Sequence, residues 1–369
     1  MSNIMGVLFA SENESKLNEL TIHRTAASLP FCGRYRLIDF VLSNFVNSGI
    51  TTIGIIARSN YNSLMDHIRM GRDWDLNRKN SGLAVFPPFV TSASRDMYKS
   101  KIEAVYSIAD YIKRAKEEYI IISNGNVAYN FDFGKLFEEH ISKKADITML
   151  TCKSETTARR VLPVIGKNGR VSEIIFSNTQ GRVPADVSLN VYLMNKNLLL
   201  ELVEAAFSRG QLDFEKDIIL TKTSELKIHA YDVKGYVAVV DDIKSYYYES
   251  MKLLNKQARD NLFDSYGDIY TKVKDSVPTV YAEKAVVKNS LIADGCCING
   301  YVENSILFRG VNIGEGARVV NSIIMENGQI MSNSNMSYVI TDKNVTIKEN
   351  RNISGFETYP IVIVKDKVV

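Results

Sequence analysis

The sequence is short of the residues that most often announce chemistry. Its 369 residues include four histidines, four cysteines, seven prolines and one tryptophan. Cys32, Cys152, Cys296 and Cys297 show neither metal-ligand spacing nor a disulfide framework, so a reduced, cytoplasmic setting is the expectation. No apolar run approaches the ~18 residues that cross a bilayer, which argues against a membrane protein. The first residues lack the basic-then-apolar order of a secretory leader. A large charge of one sign is also missing. The net charge of +3 is too small to suggest nucleic acid as a partner.

A further absence is local. In "MGVLFASENESKLNELT" the run Val7-Leu8-Phe9-Ala10 reads as the first buried strand of an α/β domain. Such a strand is commonly followed by a glycine-rich turn that receives a phosphate, because only glycine lets backbone N–H groups approach so closely. Here the turn is Ser11-Glu12-Asn13-Glu14-Ser15, with no glycine and two acids.

What is present is ordinary for a globular chain of two or three domains: 45% hydrophobic and 24% charged residues. Across residues 1–243, short apolar runs alternate with helical patterns. Strands are expected at Met5–Ala10, Thr52–Ala57, Tyr119–Ser123, Ile147–Thr151, Arg170–Phe176 and Leu189–Asn195, with helices at 35–48, 60–69, 101–115 and 133–143. The continuous runs at 52–57 and 119–123 suit strands covered on both faces, as in a mostly parallel, doubly wound Rossmann-like α/β domain. Residues 244–277 read as one amphipathic linker helix, 244–262, and a connection. The tyrosine run Tyr246-Tyr247-Tyr248 reads as packing between domains.

From residue 278 the period changes. Apolar residues recur six apart at Ile292 and Ile298, at Leu307, Ile313 and Val319, and at Ile324, Ile330 and Met336. Three six-residue sides close one triangular coil, so residues 278–369 read as a parallel β-helix of hexapeptide repeats, with Gly295, Gly300, Gly310, Gly314, Gly316 and Gly328 at the corners. A β-sandwich needs no strict six-residue period.

The segments "LPFCGRYRLIDFVLSNFVNSGITTIGII" (29–56), "HIRMGRDWDLNR" (67–78), "FEKDII" (214–219) and "SLIADGCCINGYVENSILFRGVNIGEGARVVNSIIM" (290–325) resemble the ADP-glucose pyrophosphorylase (glucose-1-phosphate adenylyltransferase) family. The resemblance runs along nearly the whole chain. It implies a GT-A-like nucleotidyltransferase domain followed by a left-handed parallel β-helix. It also implies synthesis of ADP-glucose and pyrophosphate from ATP and glucose 1-phosphate on the way to glycogen. That chemistry requires a cradle for polyphosphate, carboxylates on Mg²⁺, and cations around the developing charge.

Compared residue by residue, those parts are missing. The family's Gly-Gly-x-Gly-x-Arg-Leu turn is Ser11-Glu12-Asn13-Glu14-Ser15-Lys16-Leu17, in which Lys16 keeps a charge but loses the bidentate fork. A carboxylate 4 Å from a phosphate costs about 4 kcal/mol at an effective dielectric of ~20. The family's phosphate-facing lysine is Ala26. Its metal-binding aspartates are Asn126 and Val239, and Asp241 or Asp242 would have to act as a shifted ligand. On the sugar-phosphate side the family's Glu-Lys-Pro is Ser177-Asn178-Thr179. Ser188, Asn190, Lys216 and Asp217 keep a vestige of their setting, while Glu215 replaces a glycine.

The segments that fix fold and subunit packing are kept, and those that touch ATP, metal and sugar phosphate are lost. The resemblance therefore implies a non-catalytic regulatory subunit of ADP-glucose pyrophosphorylase. Such a subunit would have no cofactor of its own and would pair, as a hetero-oligomer expected to be a tetramer, with a catalytic subunit that holds the Mg²⁺. It would act by allosteric coupling. Arg34 and Arg36 in "CGRYR" are the expected contacts for a phosphorylated metabolite effector. Two alternatives are a weakly active adenylyltransferase with an atypical phosphate loop, and a hexapeptide acyltransferase. The second would need a histidine in the β-helix, and His23, His67, His140 and His229 all precede it.

Overall fold

The computed structural model describes residues 3–79, 81–88, 100–156, 160–177 and 183–369. Its larger part is built on a seven-stranded sheet. From one edge the strands run Ile228–Asp232, Ile147–Thr156, Val183–Asn195, Tyr119–Asn124, Ile4–Phe9, Thr52–Ile56 and Gly82–Phe86. All are mutually parallel except Val183–Asn195, which runs antiparallel to both neighbours. The central strands are covered on both faces. Leu8, Ile53 and Ile121 pack on one side, and Met5, Val7, Ile120 and Ile122 pack on the other. That two-sided burial explains why these segments are continuously apolar rather than alternating.

Several expected elements differ in detail. The strand expected at Arg170–Phe176 forms as Val171–Ser177, in an antiparallel ribbon with Arg160–Ile165 outside the main sheet. The helical stretch 101–115 is two helices, Lys101–Ser107 and Ala109–Arg114. The single linker helix expected over 244–262 is likewise two, Ile243–Lys252 and Lys256–Phe263. The interruption is capped by Asn255, whose side chain accepts a hydrogen bond from the Gln257 N–H at 2.8 Å, so the second helix starts afresh.

The C-terminal part is a left-handed parallel β-helix whose three faces are parallel sheets of five short strands. Coils stack in the register read from the sequence: Ile292 on Leu307, Leu307 on Ile324, and Ile298 on Ile313 on Ile330. Glycine plays two roles at the corners. Gly310 takes the left-handed backbone (φ +68°), whereas a Cβ on Gly300 would lie 2.4 Å from the Ala317 carbonyl oxygen. Asparagines supply many of the remaining left-handed corners, among them Asn304, Asn321, Asn327 and Asn344.

The two parts share a core. Leu17, Phe31, Phe40 and Tyr246 pack with Ile306, Phe308, Ile323 and Ile340. The Tyr246 hydroxyl donates to the Pro30 carbonyl, and the Tyr247 hydroxyl donates to the Asn321 carbonyl in the β-helix, each at 2.7 Å. Tyr248 is exposed. A buried ion pair, Arg24 Nη2 to Asp342 Oδ1 at 2.7 Å, closes the contact.

Candidate functional site

Phe9 and Asn124 are register partners at the carboxyl ends of adjacent parallel strands. In an open α/β sheet this is where ligands bind. The chain leaves Phe9 into the acidic turn and leaves Asn124 into Gly125-Asn126, and between them opens a cleft of about 240 Å³.

Of the turn, only Glu12, Asn13 and Lys16 line the cleft. Ser11 is buried and accepts the Arg58 N–H at 3.0 Å. Glu14 points away, accepting from the Ser59 hydroxyl at 3.0 Å. Burial raises its carboxyl above the usual range, and Ser59, Ser11 and Arg58 offset this only in part. Ala26 is fully buried in the core with Leu29 and Phe31 rather than on the cleft wall.

Glu12 does not stand alone. Lys101 Nζ lies 2.6 Å from Glu215 Oε1 and 3.7 Å from Glu12 Oε2. Burial by itself would lower the lysine's pKa. The carboxylates of Glu12 and Glu215 outweigh that and hold it above the ordinary lysine value. The cleft thus carries four carboxylates, Glu12, Asp213, Glu215 and Asp241, against three cations, Lys16, Lys101 and Arg160. A triphosphate would enter a site where two of the three cations, Lys101 and Arg160, already have carboxylate neighbours.

The metal positions give the same result. Val239 pairs with Val127 in a two-stranded ribbon and presents an alkyl group to the cleft. Asn126 donates from Nδ2 to the Val240 carbonyl at 2.8 Å and to Asp241 Oδ1 at 3.1 Å. Asp241 does share the cleft with Val239, but it is engaged. Oδ1 also accepts from Asn13 Nδ2 at 2.8 Å, and Oδ2 lies 3.1 Å from Arg160 Nε. Asp242 faces elsewhere, capping the linker helix by accepting the Ser245 N–H at 2.7 Å. Among the described residues no group of three or more His, Cys, Asp or Glu is placed to hold a metal ion. This donor set does not fit Mg²⁺, which prefers carboxylate oxygens and water in octahedral array.

On the sugar-phosphate side, Ser188 and Asn190 line the cleft. Lys216 instead lies with its ammonium 5.7 Å from the centre of the Phe176 ring. Asp217 closes its own loop, accepting the N–H groups of Leu212 and Asp213 at 3.0 and 2.9 Å. Neither lines the cleft, which departs from the expectation for that pair. Asn178 and Thr179 lie outside the described residues. The cleft also contains Asn13, Lys101 and Arg160, which sequence reasoning did not single out.

A second concave site of about 220 Å³ lies where the α/β part meets the β-helix. It gathers Arg34, Arg36, Lys272, Lys274, Arg309 and Lys343 around Asp66 and Glu326. Arg34 is exposed, with its guanidinium 5.4 Å from the Tyr35 ring centre. Arg36 is tied down, donating from Nη1 to the Ser63 carbonyl at 2.7 Å and to its hydroxyl at 3.0 Å. Burial lowers Arg36 to about 10. Burial and the neighbouring Arg36 charge lower Lys343 to about 8, although Glu326 opposes this. Burial would raise Glu326, but Lys343 and Lys274 hold it at about 2. One carboxylate is therefore shared by two lysines, and Lys343 Nζ is 2.7 Å from it. An anion entering here would relieve repulsion between cations. Only Arg34 and Arg36 were expected from the sequence. A signal for the rest existed: Arg309, Glu326 and Lys343 follow one another at the 17-residue spacing of stacked coils.

Comparison with known proteins gives the family. The chain matches the family described as Nucleotidyl transferase over residues 5–254 and the family described as GlmU-like, C-terminal hexapeptide over residues 276–358. It is 34% identical over 367 residues to the Glycogen biosynthesis protein GlgD of Bacillus subtilis (strain 168), covering 100% of this chain and 97% of that protein. It is 32% identical over 350 residues to the Glucose-1-phosphate adenylyltransferase of Bacillus mycoides (strain KBAB4), covering 94% and 93% of the two chains. The enzyme of the same name from Bacillus anthracis matches to the same extent.

Proposed function

The chain belongs to the glucose-1-phosphate adenylyltransferase and GlgD group of nucleotidyl transferases, and we propose that within it this protein is a non-catalytic regulatory subunit. Its partner is a catalytic subunit that makes ADP-glucose from ATP and glucose 1-phosphate for glycogen synthesis and holds the Mg²⁺. The two assemble in the cytoplasm as a hetero-oligomer, a tetramer by expectation. This subunit raises the partner's turnover or its affinity for substrates through the shared interface.

The observation that carries the reading is the state of Asp241. Its carboxylate touches Asn126, at one of the lost metal positions, and is held by Asn13, Asn126 and Arg160. The basic pocket at the domain junction supports an effector role, with Arg34 and Arg36 as contacts for a phosphorylated metabolite. Purified chain assayed with ATP, glucose 1-phosphate and Mg²⁺, alone and with a catalytic homologue, tests the reading. It expects no turnover alone and a changed rate or affinity in the mixture.

The second reading is a weakly active adenylyltransferase that uses Asp241 as a shifted metal ligand. It draws on the position of Asp241 in the cleft. For it to hold, Mg²⁺ must displace Arg160 and two amide donors, and the same assay separates the two readings.

A further inference from the structure

A cavity of about 460 Å³ shares Arg160 with the cleft and lies between the end of strand Ile147–Thr156, the turn 232–237 and the first linker helix. Nothing in the regulatory reading uses it. Its wall contains two buried groups of opposite charge with unmet hydrogen-bonding capacity. Glu249 is 8% exposed, and its Oε2 has no hydrogen-bond partner. Its other oxygen takes Lys252 Nζ at 2.9 Å, and the nearby Tyr236 hydroxyl gives its proton to the Glu249 main-chain carbonyl instead. The Arg160 side chain is 10% exposed; its Nε faces Asp241 Oδ2 at 3.1 Å, and its Nη1 is without a hydrogen-bond acceptor. Leaving such groups unpaired is costly, and in folded proteins they are normally satisfied by protein, water or ligand. Lys153, Lys244 and Lys252 stand exposed around the same cavity.

We infer that this cavity is a small-molecule site for a phosphorylated sugar. A hydroxyl group both donates and accepts, so adjacent sugar hydroxyls answer Glu249 Oε2 and Arg160 together. The lysines at the mouth suit a phosphate, as compact cations on flexible stems. The volume falls within the range of small-ligand pockets. A nucleotide fits less well. Tyr248, the aromatic side chain at the mouth, has its ring covered by the Lys252 ammonium 4.4 Å from the centre, which leaves less room for a base to stack. The ligand would touch the helical face carrying Lys244, Glu249 and Lys252; Lys244 is two residues from Tyr246 and Glu249 two from Tyr247, the tyrosines that fasten that helix to Pro30 and to the β-helix.

Calorimetry of the full chain with glucose 6-phosphate, glucose, inorganic phosphate and AMP tests this without any activity measurement, so its outcome is separate from that of the regulatory reading. Glucose 6-phosphate is expected to bind in the micromolar to sub-millimolar range, at least tenfold tighter than the other three. Lys244→Ala, at an exposed position that leaves folding intact, is expected to weaken it about tenfold, the effect of one lost charge-assisted contact. Glu249→Leu is expected to weaken it by a similar factor or more. Arg34→Ala is expected to leave it unchanged. The proposal is overturned if glucose 6-phosphate does not bind below 1 mM on the order of a weak ligand. It is equally overturned if AMP or inorganic phosphate binds as tightly, or if Arg34→Ala abolishes binding while Lys244→Ala does not.

Discussion

Asn13 Nδ2 donates to Asp241 Oδ1 across 2.8 Å, joining the turn after the first strand to the residue that precedes the linker helix cap. Side chains 228 positions apart thus meet in the cleft wall. Asp241 also neutralises Arg160. Replacing Asp241 by Ala removes the counter-charge of a largely buried guanidinium and is expected to cost about 3 kcal/mol of stability. Chemical denaturation measures this. The double variant Asp241→Ala/Arg160→Met should lose clearly less than Asp241→Ala alone; an equal or larger loss would show that the ion pair is not what Asp241 supplies.

Lys101 holds Glu12 and Glu215 together. In Lys101→Met the two carboxylates face each other without a cation, and the expected destabilisation is about 3 kcal/mol. It should shrink in Lys101→Met/Glu215→Gln, which removes one of the two negative charges. Chemical denaturation of the wild type and both variants tests this. An equal loss in the single and double variants would contradict it.

These two contacts also show how much was legible beforehand. The strand expected at Met5–Ala10, which forms as Ile4–Phe9, and the stacking of Ile292, Leu307 and Ile324 follow from local periodicity, whereas the run expected at 170–176 joins a ribbon outside the main sheet. Glu215 was legible as a replacement for a glycine of the family pattern, but its partner Lys101 was not. Their pairing stayed hidden because 114 residues separate them. The break in the linker was missed because its amphipathic pattern continues across the Asn255 cap. Asp242 could not be told from a ligand until its side chain was seen on the Ser245 N–H.

In the junction pocket, Lys343 is held at about 8, below the ordinary lysine value, mainly by burial and by Arg36. A bound phosphate favours the protonated ammonium. Anion affinity should therefore be steady below pH 7 and weaken as the pH rises through about 8. Binding at pH 8.5 should take up protons, visible as a calorimetric enthalpy that depends on buffer ionisation. Lys343→Ala should flatten the pH dependence and weaken binding about tenfold. A pH profile unchanged in that variant would assign the dependence to another group.

The Arg24–Asp342 pair is almost fully buried where the two parts of the chain meet. Removing one member, as in Asp342→Ala, leaves an uncompensated buried charge and should cost about 3–5 kcal/mol, whereas Arg24→Met/Asp342→Leu should cost much less. Thermal unfolding of the three proteins is the check. Equal losses in the single and double variants would mean that packing, not charge, dominates there.

The central claim is that this chain regulates a catalytic partner without catalysing the reaction itself. Pyrophosphate release from ATP, glucose 1-phosphate and Mg²⁺, measured for the purified chain and again after co-expression with a catalytic homologue, tests it most directly. The predicted result is background release from the chain alone, together with a co-purifying complex whose turnover or substrate affinity differs from that of the homologue by itself. Turnover by the isolated chain at the level of an active glucose-1-phosphate adenylyltransferase, abolished by Asp241→Ala, would contradict the claim.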